Sequence, residues 1–427
     1  MRPAWYWLSV GALVALVRVL ITYRSVMEAC GLAERPTRLR IWVAKLARRE
    51  PSRMVPRLRR VRVTRTGLIL RIRMQPGQEV HDFVVAAERL RHAWFAHGVH
   101  IRAFRPGWLE VRLIAYDVLR QVVMPRGITG SLLRVPVALR SDGLPHVRDF
   151  RKTPHELVIG ATESGKSVYL RGLVKELAPQ PVALLGIDCK WGVELSPFAP
   201  RLSALAPTPE ESALLLDVLV QEMTDRYELI RAAQCLSSGT PLEEIASDVW
   251  GLPEHLRPVP LVLIVDEVAE LFLVSTAADE KRRDHMVTQL IRLAQLGRAA
   301  GMYLEICGQR FGSELGKGAT ALRAQLSGRV SHRVNDEGSA KMALADVSAA
   351  AVLAATSIPE DRPGEAVAGD SSGGWTVIRS PLTTLHEATA ACAEYAHMTP
   401  DIPALAPFRP DSTEVPVEAP APVLEPA

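Results

Sequence analysis

Apolar and polar positions follow several rhythms along this chain. Residues 5–23 are almost continuously apolar, with Arg18 as the main interruption. Crossing a bilayer takes about 20 apolar residues, so the run predicts one membrane-spanning helix within residues 1–24. Trp5, Tyr6 and Trp7 at one end and Tyr23 at the other resemble interfacial belts, and Arg18 can snorkel. The alternative is a buried or surface-lying amphipathic helix. A basic helical connector is expected over 25–57. Period-two alternation at 61–64 and 68–73, around Thr66-Gly67, predicts a hairpin. Helical spacing follows over 79–97, then strands at 99–104 and 108–114. These make a small α+β module over 58–123. It holds no chemical motif, so interaction or assembly is its expected role.

Beyond an expected linker around 124–153, the rhythm changes. Short apolar runs at 157–159, 182–187, 261–265 and 302–306 read as buried parallel strands. Helical patterns at 166–177, 210–233 and 279–299 separate them. This alternation predicts an α/β fold with a mostly parallel, doubly wound sheet. The core is expected over 145–398, closing with a short helix near 384–397. Residues 399–427 are rich in Pro, Ala and Glu and read as a disordered tail.

Composition changes the picture in two places. The chain has 427 residues and a formal net charge of only +4, yet residues 24–73 hold 15 Lys or Arg against three acids. That stretch suits anionic lipid or nucleic acid. The five cysteines, Cys30, Cys189, Cys235, Cys307 and Cys392, show no metal-ligand spacing. They exclude a disulfide framework and suit a reducing cytoplasm.

The chemistry lies at strand ends. Gly160-Ala161-Thr162-Glu163-Ser164-Gly165-Lys166-Ser167 matches GxxxxGK[ST] between a predicted strand and helix. Glycines let main-chain N–H groups turn toward phosphates, and the helix N-terminus adds positive potential. Lys166 suits the β- and γ-phosphates of ATP, and the Ser167 hydroxyl suits Mg²⁺. The apolar run 261–265 ends in Asp266-Glu267. Asp266 is the expected Mg²⁺ partner and Glu267 the general base for the attacking water. Gln309, after the 302–306 strand, is placed to sense the γ-phosphate or orient that water. Arg298, Arg329 and Arg333 are candidates to reach a neighbouring subunit's γ-phosphate.

Longer stretches resemble the FtsK/SpoIIIE family of DNA-translocating ATPases over about 145–380. Pro154-His155-Glu156-Leu157-Val158 is similar to its PHLLV lead-in. Asp188-Cys189-Lys190 looks like its DPK strand end, with Glu194-Leu195 following. Glu222-Met223 with Arg226-Tyr227 resembles its EMxxRY helix. Residues 292–301 are close to its RLAQxxRAAG stretch, and Gly308-Gln309-Arg310 stands where it has TQRP. Glu163 departs from a loop glycine or small residue, Cys189 from the proline of DPK, and Phe311 from the proline after Gln-Arg.

The resemblance implies a RecA-like P-loop core, ATP with Mg²⁺, a homo-hexameric ring and double-stranded DNA as partner. Residues 312–323, with Lys317 and Arg323 against Glu314, are the expected DNA-facing segment. One anchor, a small module and one motor look most like the actinomycete plasmid-transfer branch. This places the chain at the cell membrane, single-pass, with its motor in the cytoplasm. The alternatives are an ATPase of a protein-secretion system and a nucleotide-binding DNA tether with little hydrolysis.

Overall fold

The computed structural model describes residues 7–36, 42, 46–48, 53–125, 130–234, 245–312, 315–370 and 372–410. Trp5, Tyr6, residues 37–41, 43–45 and 49–52 of the expected connector, Cys235, Glu314 and residues 411–427 of the expected tail lie outside the described residues. The chain divides into two compact units. One holds residues 1–121 with 140–144, the other 122–139 with 145–427.

In the first unit, four antiparallel strands form one sheet: β1 (Arg57–Val63), β2 (Gly67–Arg73), β3 (Gly98–Arg105) and β4 (Trp108–Ile114), in the order β1-β2-β4-β3. Strand alternation sorts their side chains by face. Leu68, Leu70 and Ile72 of β2 and Leu109, Val111 and Leu113 of β4 are buried on one face. Short helices α2 (Val80–Val85) and α3 (Ala87–Ala93) replace the single predicted helix, and Phe83 and Leu90 join this core.

Helix α1 (Ala12–Ala29) belongs to the same core and corrects the membrane-span expectation. Among the described residues no helix is long and apolar enough to cross a membrane. Arg18, Arg24 and Glu28 interrupt α1, and its apolar side chains are divided between two faces. Val19, Tyr23, Val26 and Met27 are buried in the module. Tyr23 stacks on Trp94 at 6.3 Å and donates to the Pro56 carbonyl at 3.1 Å. Arg18 lies over the Phe95 ring at 4.7 Å.

The second unit is built on a ten-stranded mixed sheet, in the order β6 (Pro145–Asp149), β5 (Arg134–Arg140), β14 (Trp375–Arg379), β13 (Glu365–Asp370), β12 (Gly328–His332), β7 (His155–Ile159), β11 (Met302–Gly308), β10 (Leu261–Val265), β8 (Ala183–Ile187) and β9 (Leu202–Ala206). Its parallel part comprises β7, β8, β9, β10, β11 and β12. Strands β7, β8, β10 and β11 are buried along their whole length, as sheets covered on both faces require. Helices α5 (Pro209–Ala233) and α6 (Ala277–Leu296) supply core residues on one face, including Leu219 and Leu290, which pack with Leu263 and Leu304. Helix α4 (Lys166–Leu177) covers the other, where Leu170 and Leu173 meet Val262 and Ile264. Each fully buried aliphatic side chain contributes about 1.5–3 kcal/mol.

Residues 134–149 are a hairpin rather than a linker. β5 (Arg134–Arg140) and β6 (Pro145–Asp149) form an edge of the large sheet. From β6, Arg148 reaches into the core. Its Nε lies 3.0 Å from Glu305 Oε2 and 3.3 Å from Glu156 Oε1, and Tyr169 donates to Glu156 Oε1 at 2.8 Å. Helix α7 (Ala319–Gln325) precedes β12, and α8 (Glu337–Leu344) and α9 (Ala349–Thr356) follow it. Antiparallel β13 (Glu365–Asp370) and β14 (Trp375–Arg379), and helix α10 (Leu385–Glu394), complete the unit.

Candidate active site

Three neighbouring strands end at one edge of the parallel sheet. β7 runs into residues 160–165 and α4, β10 ends at Asp266-Glu267, and β11 lies between them and leads to Gln309. Parallel strands present their C-termini together, so segments distant in sequence meet.

Glycine shapes the loop after β7. Gly165 has φ +101°, and a Cβ there would lie 2.2 Å from the Gly364 nitrogen. A Cβ on Gly160 would lie 2.5 Å from Ser164 Oγ. The Ala161 N–H donates to the Arg333 carbonyl at 2.9 Å, and the Gly364 N–H to the Ser164 carbonyl at 2.8 Å. Glu163 holds φ +62° with its side chain exposed, as is Thr162. A residue with a Cβ pays about 1–2 kcal/mol for that backbone region. Ser167 is half-buried in the first turn of α4, whose leading N–H groups lack partners within the helix.

Lys166 is buried and crosses to the acids. Its Nζ donates to the Asp266 carbonyl at 2.8 Å and lies 3.8 Å from Asp266 Oδ1 and 3.7 Å from Glu267 Oε2. Lys190 approaches from the end of β8, 3.1 Å from Asp266 Oδ2 and 3.9 Å from Glu267 Oε2. Burial pulls the Lys190 ammonium down, but Asp266 and Glu267 outweigh it and hold it above the ordinary lysine value. The Gln309 N–H donates to Glu267 Oε1 at 3.2 Å, while its side chain is exposed. Glu267 Oε2 is buried and accepts no hydrogen bond among the described residues. Such an oxygen costs about 1–3 kcal/mol, which an arriving water would offset. A cleft of about 340 Å³ opens here, lined by Ala161, Lys190, Glu267, Gln309 and Asp336. Two lysines, two carboxylates and a glycine-shaped loop fit a triphosphate with its divalent cation.

Lys190 had a place in the sequence reading but no role. Its signal was the position two residues after Asp188, whose carboxylate accepts from the Lys190, Glu194 and Leu195 N–H groups and so shapes that turn. Cys189 packs half-buried beside Ser212, and burial raises its thiol to about 11. Phe311 is buried edge-on against Phe272, 6.0 Å between centroids, and so fixes the segment after Gln309.

The arginine candidates separate by surroundings. Arg329 is not placed to reach a neighbour: it is 5% exposed, donates to the Arg323 carbonyl at 2.9 Å and pairs with Asp346 at 3.6 Å. Arg333, just after β12, is bound to the loop after β7 of its own chain, donating to the Thr162 carbonyl at 3.3 Å. The Arg298 side chain is exposed, without a hydrogen bond or ion pair among the described residues. It lies just before β11, at the sheet edge opposite the loop, in a cavity of about 350 Å³ with Arg134, Arg151, Lys152 and Trp250. In the 312–323 segment, Arg323 turns inward to the Phe311 carbonyl, whereas the Lys317 side chain is 84% exposed.

Residues 1–115 match the profile of the actinomycete conjugal transfer protein N-terminal domain, and residues 118–313 that of the FtsK/SpoIIIE family. Over 401 residues the chain is 58% identical to the transfer protein TraSA of Streptomyces ambofaciens, spanning 94% of this chain and 97% of that one. The chain belongs to the FtsK/SpoIIIE family, in its actinomycete conjugal-transfer branch. Members of this family are P-loop ATPases, and so is this chain. The DNA translocase FtsK of Caldanaerobacter subterraneus subsp. tengcongensis is 30% identical over 294 residues, covering 65% of this chain and 39% of that relative. Among solved structures, the pCW3 conjugation coupling protein TcpA with ATPγS shares the fold at TM-score 0.54 and 18% identity, covering 77% of this chain and 89% of that one.

Proposed function

We propose that the chain uses ATP hydrolysis to drive double-stranded DNA through a ring of its own copies during conjugal transfer of a plasmid or integrative element. The observation that carries the reading is the meeting of Lys166 and Glu267, 3.7 Å apart, at the glycine-shaped loop. The names of the relatives, a transfer protein and a DNA translocase, supply the cargo class.

In this reading the motor occupies residues 145–398. Main-chain N–H groups of residues 162, 163 and 165–167 and the Lys166 ammonium bind the phosphates, while Ala161 and Ser164 use theirs to hold the loop. Ser167 and Asp266 hold Mg²⁺, which when bound neutralises phosphate charge. Glu267 takes the proton of the attacking water, and its unbonded Oε2 is the atom free to do so. The Gln309 side chain orients that water, while its N–H holds Glu267 Oε1. Lys190 is a positioning residue that keeps both carboxylates aimed into the cleft. In a ring, the sheet edge that carries Arg298 faces the next subunit's loop, so Arg298 supplies the trans charge.

The test is the ATPase rate of the full chain with and without duplex. Stimulation by duplex, absent with single strands or a secreted protein, supports the reading. A rate indifferent to duplex, or a Lys166→Ala chain hydrolysing at the wild-type rate, overturns it.

A further inference from the structure

The apolar face of the first unit's sheet is covered by α1, α2 and α3, and its other face is arginine-rich. Register sets that face in rows. Arg62 stands opposite Ile69, which pairs with Arg112. Arg60 stands opposite Arg71, which pairs with Glu110, itself opposite Arg102. Arg57 stands opposite Arg73, which pairs with Trp108, itself opposite Arg105.

Glu110 is the one carboxylate in these rows. It is 4% exposed and already shared by Arg71 at 3.8 Å, Arg102 at 3.8 Å and Arg112 at 3.0 Å. Arg60, Arg62 and Arg73 are exposed and have no ion pair among the described residues. Strands about 4.8 Å apart, with same-face residues about 6.8 Å apart, hold these guanidiniums in a rigid array. That is a cationic plane, only partly neutralised by Glu110, built on regular strands.

We propose that this face is a second DNA-contact surface, which binds the phosphodiester backbone of duplex DNA independently of the ATP site. Guanidinium forks match phosphate oxygens in geometry as well as charge. Base stacking is not on offer to a single strand. The Phe104 ring lies under Arg71 at 4.3 Å, and the Trp108 ring under Arg105 at 4.2 Å, so guanidiniums already cover the aromatic faces. An anionic membrane is the weaker match, because the rows present no exposed aliphatic side chain to enter the lipid. Backbone contact alone makes the surface indifferent to sequence.

The test uses the full chain and a labelled duplex of arbitrary sequence, titrated by anisotropy over a range of KCl. Parallel titrations use a single strand of equal length and phosphatidylglycerol vesicles. All are run on the Lys166→Ala background, so that failure of the hydrolysis reading leaves this measurement standing. The triple variant Arg60→Gln/Arg62→Gln/Arg73→Gln is expected to weaken duplex binding and to flatten the log K against log salt slope by about 2–3. The triple Arg→Lys variant at the same positions keeps charge, and is expected to keep most of the slope. Thermal melting of both variants checks that they fold. The proposal is overturned by an unchanged slope, by an equal slope loss in the lysine variant, or by a larger loss for vesicles or single strands than for duplex.

Discussion

At the scale of single residues, Glu163 puts a carboxylate and a Cβ where the loop backbone sits at φ +62°. Glu163→Gly relieves that backbone and removes a negative charge beside the proposed phosphate site. It is expected to stabilise the fold by up to about 1 kcal/mol, less the entropy glycine adds to the unfolded chain. Nucleotide binding should tighten, which calorimetric titration with an ATP analogue checks. Lys190→Ala should lower kcat more than it raises KM, because the lysine holds the acids rather than the nucleotide. Steady-state kinetics separates the two. The loop and the acid pair were legible because each is a contiguous motif whose chemistry is local. Lys190 was not, because its partners lie 76 residues away and only strand order brings them together. The surroundings of Arg329 were not legible either, because exposure cannot be read from spacing: β12 buries that guanidinium against the Arg323 carbonyl.

At the scale of elements, the apolar runs gave away β7, β8, β10 and β11, because strands covered on both faces have no polar alternation to hide in. The β5–β6 hairpin was hidden by its polar edge and by Arg148, whose charge is satisfied only inside the core. One arginine there serves two carboxylates. Arg148→Met leaves Glu156 and Glu305 facing each other and should cost about 3–5 kcal/mol, against a smaller loss for Glu305→Gln. Denaturant midpoints of the two variants check the order. Burial also depresses two strand histidines, His332 to about 4 and His155 to about 3. Their contribution to stability is complete above the ordinary histidine value of about 6.5. It is lost as pH falls below that value, at up to about 1.4 kcal/mol per pH unit for each. His332→Gln should flatten the acid limb of stability against pH by about half of that joint slope. Helix α1 shows the limit of hydropathy. A helix that packs one apolar face on a sheet and exposes another reads the same as one meant for lipid, until its burial is known.

At the scale of the whole molecule, the proposed ring places the two halves of each catalytic site on different copies. The Arg298→Ala and Glu267→Gln chains should each be inactive alone, yet a mixture should recover part of the duplex-stimulated rate. In some mixed interfaces an intact Glu267 site faces an intact Arg298. A mixture no more active than its components would place Arg298 outside the site. In the sequence Arg298 falls within the family-like 292–301 stretch, but spacing alone did not set it above Arg329 or Arg333. Its unpartnered side chain, and its position at the far edge of the sheet, are what favour it in the proposed ring. The most direct measurement is ATP hydrolysis by Glu267→Gln alongside its ATP affinity. The account predicts a rate about 100-fold or more below wild type, with affinity retained. Hydrolysis near the wild-type rate would contradict it.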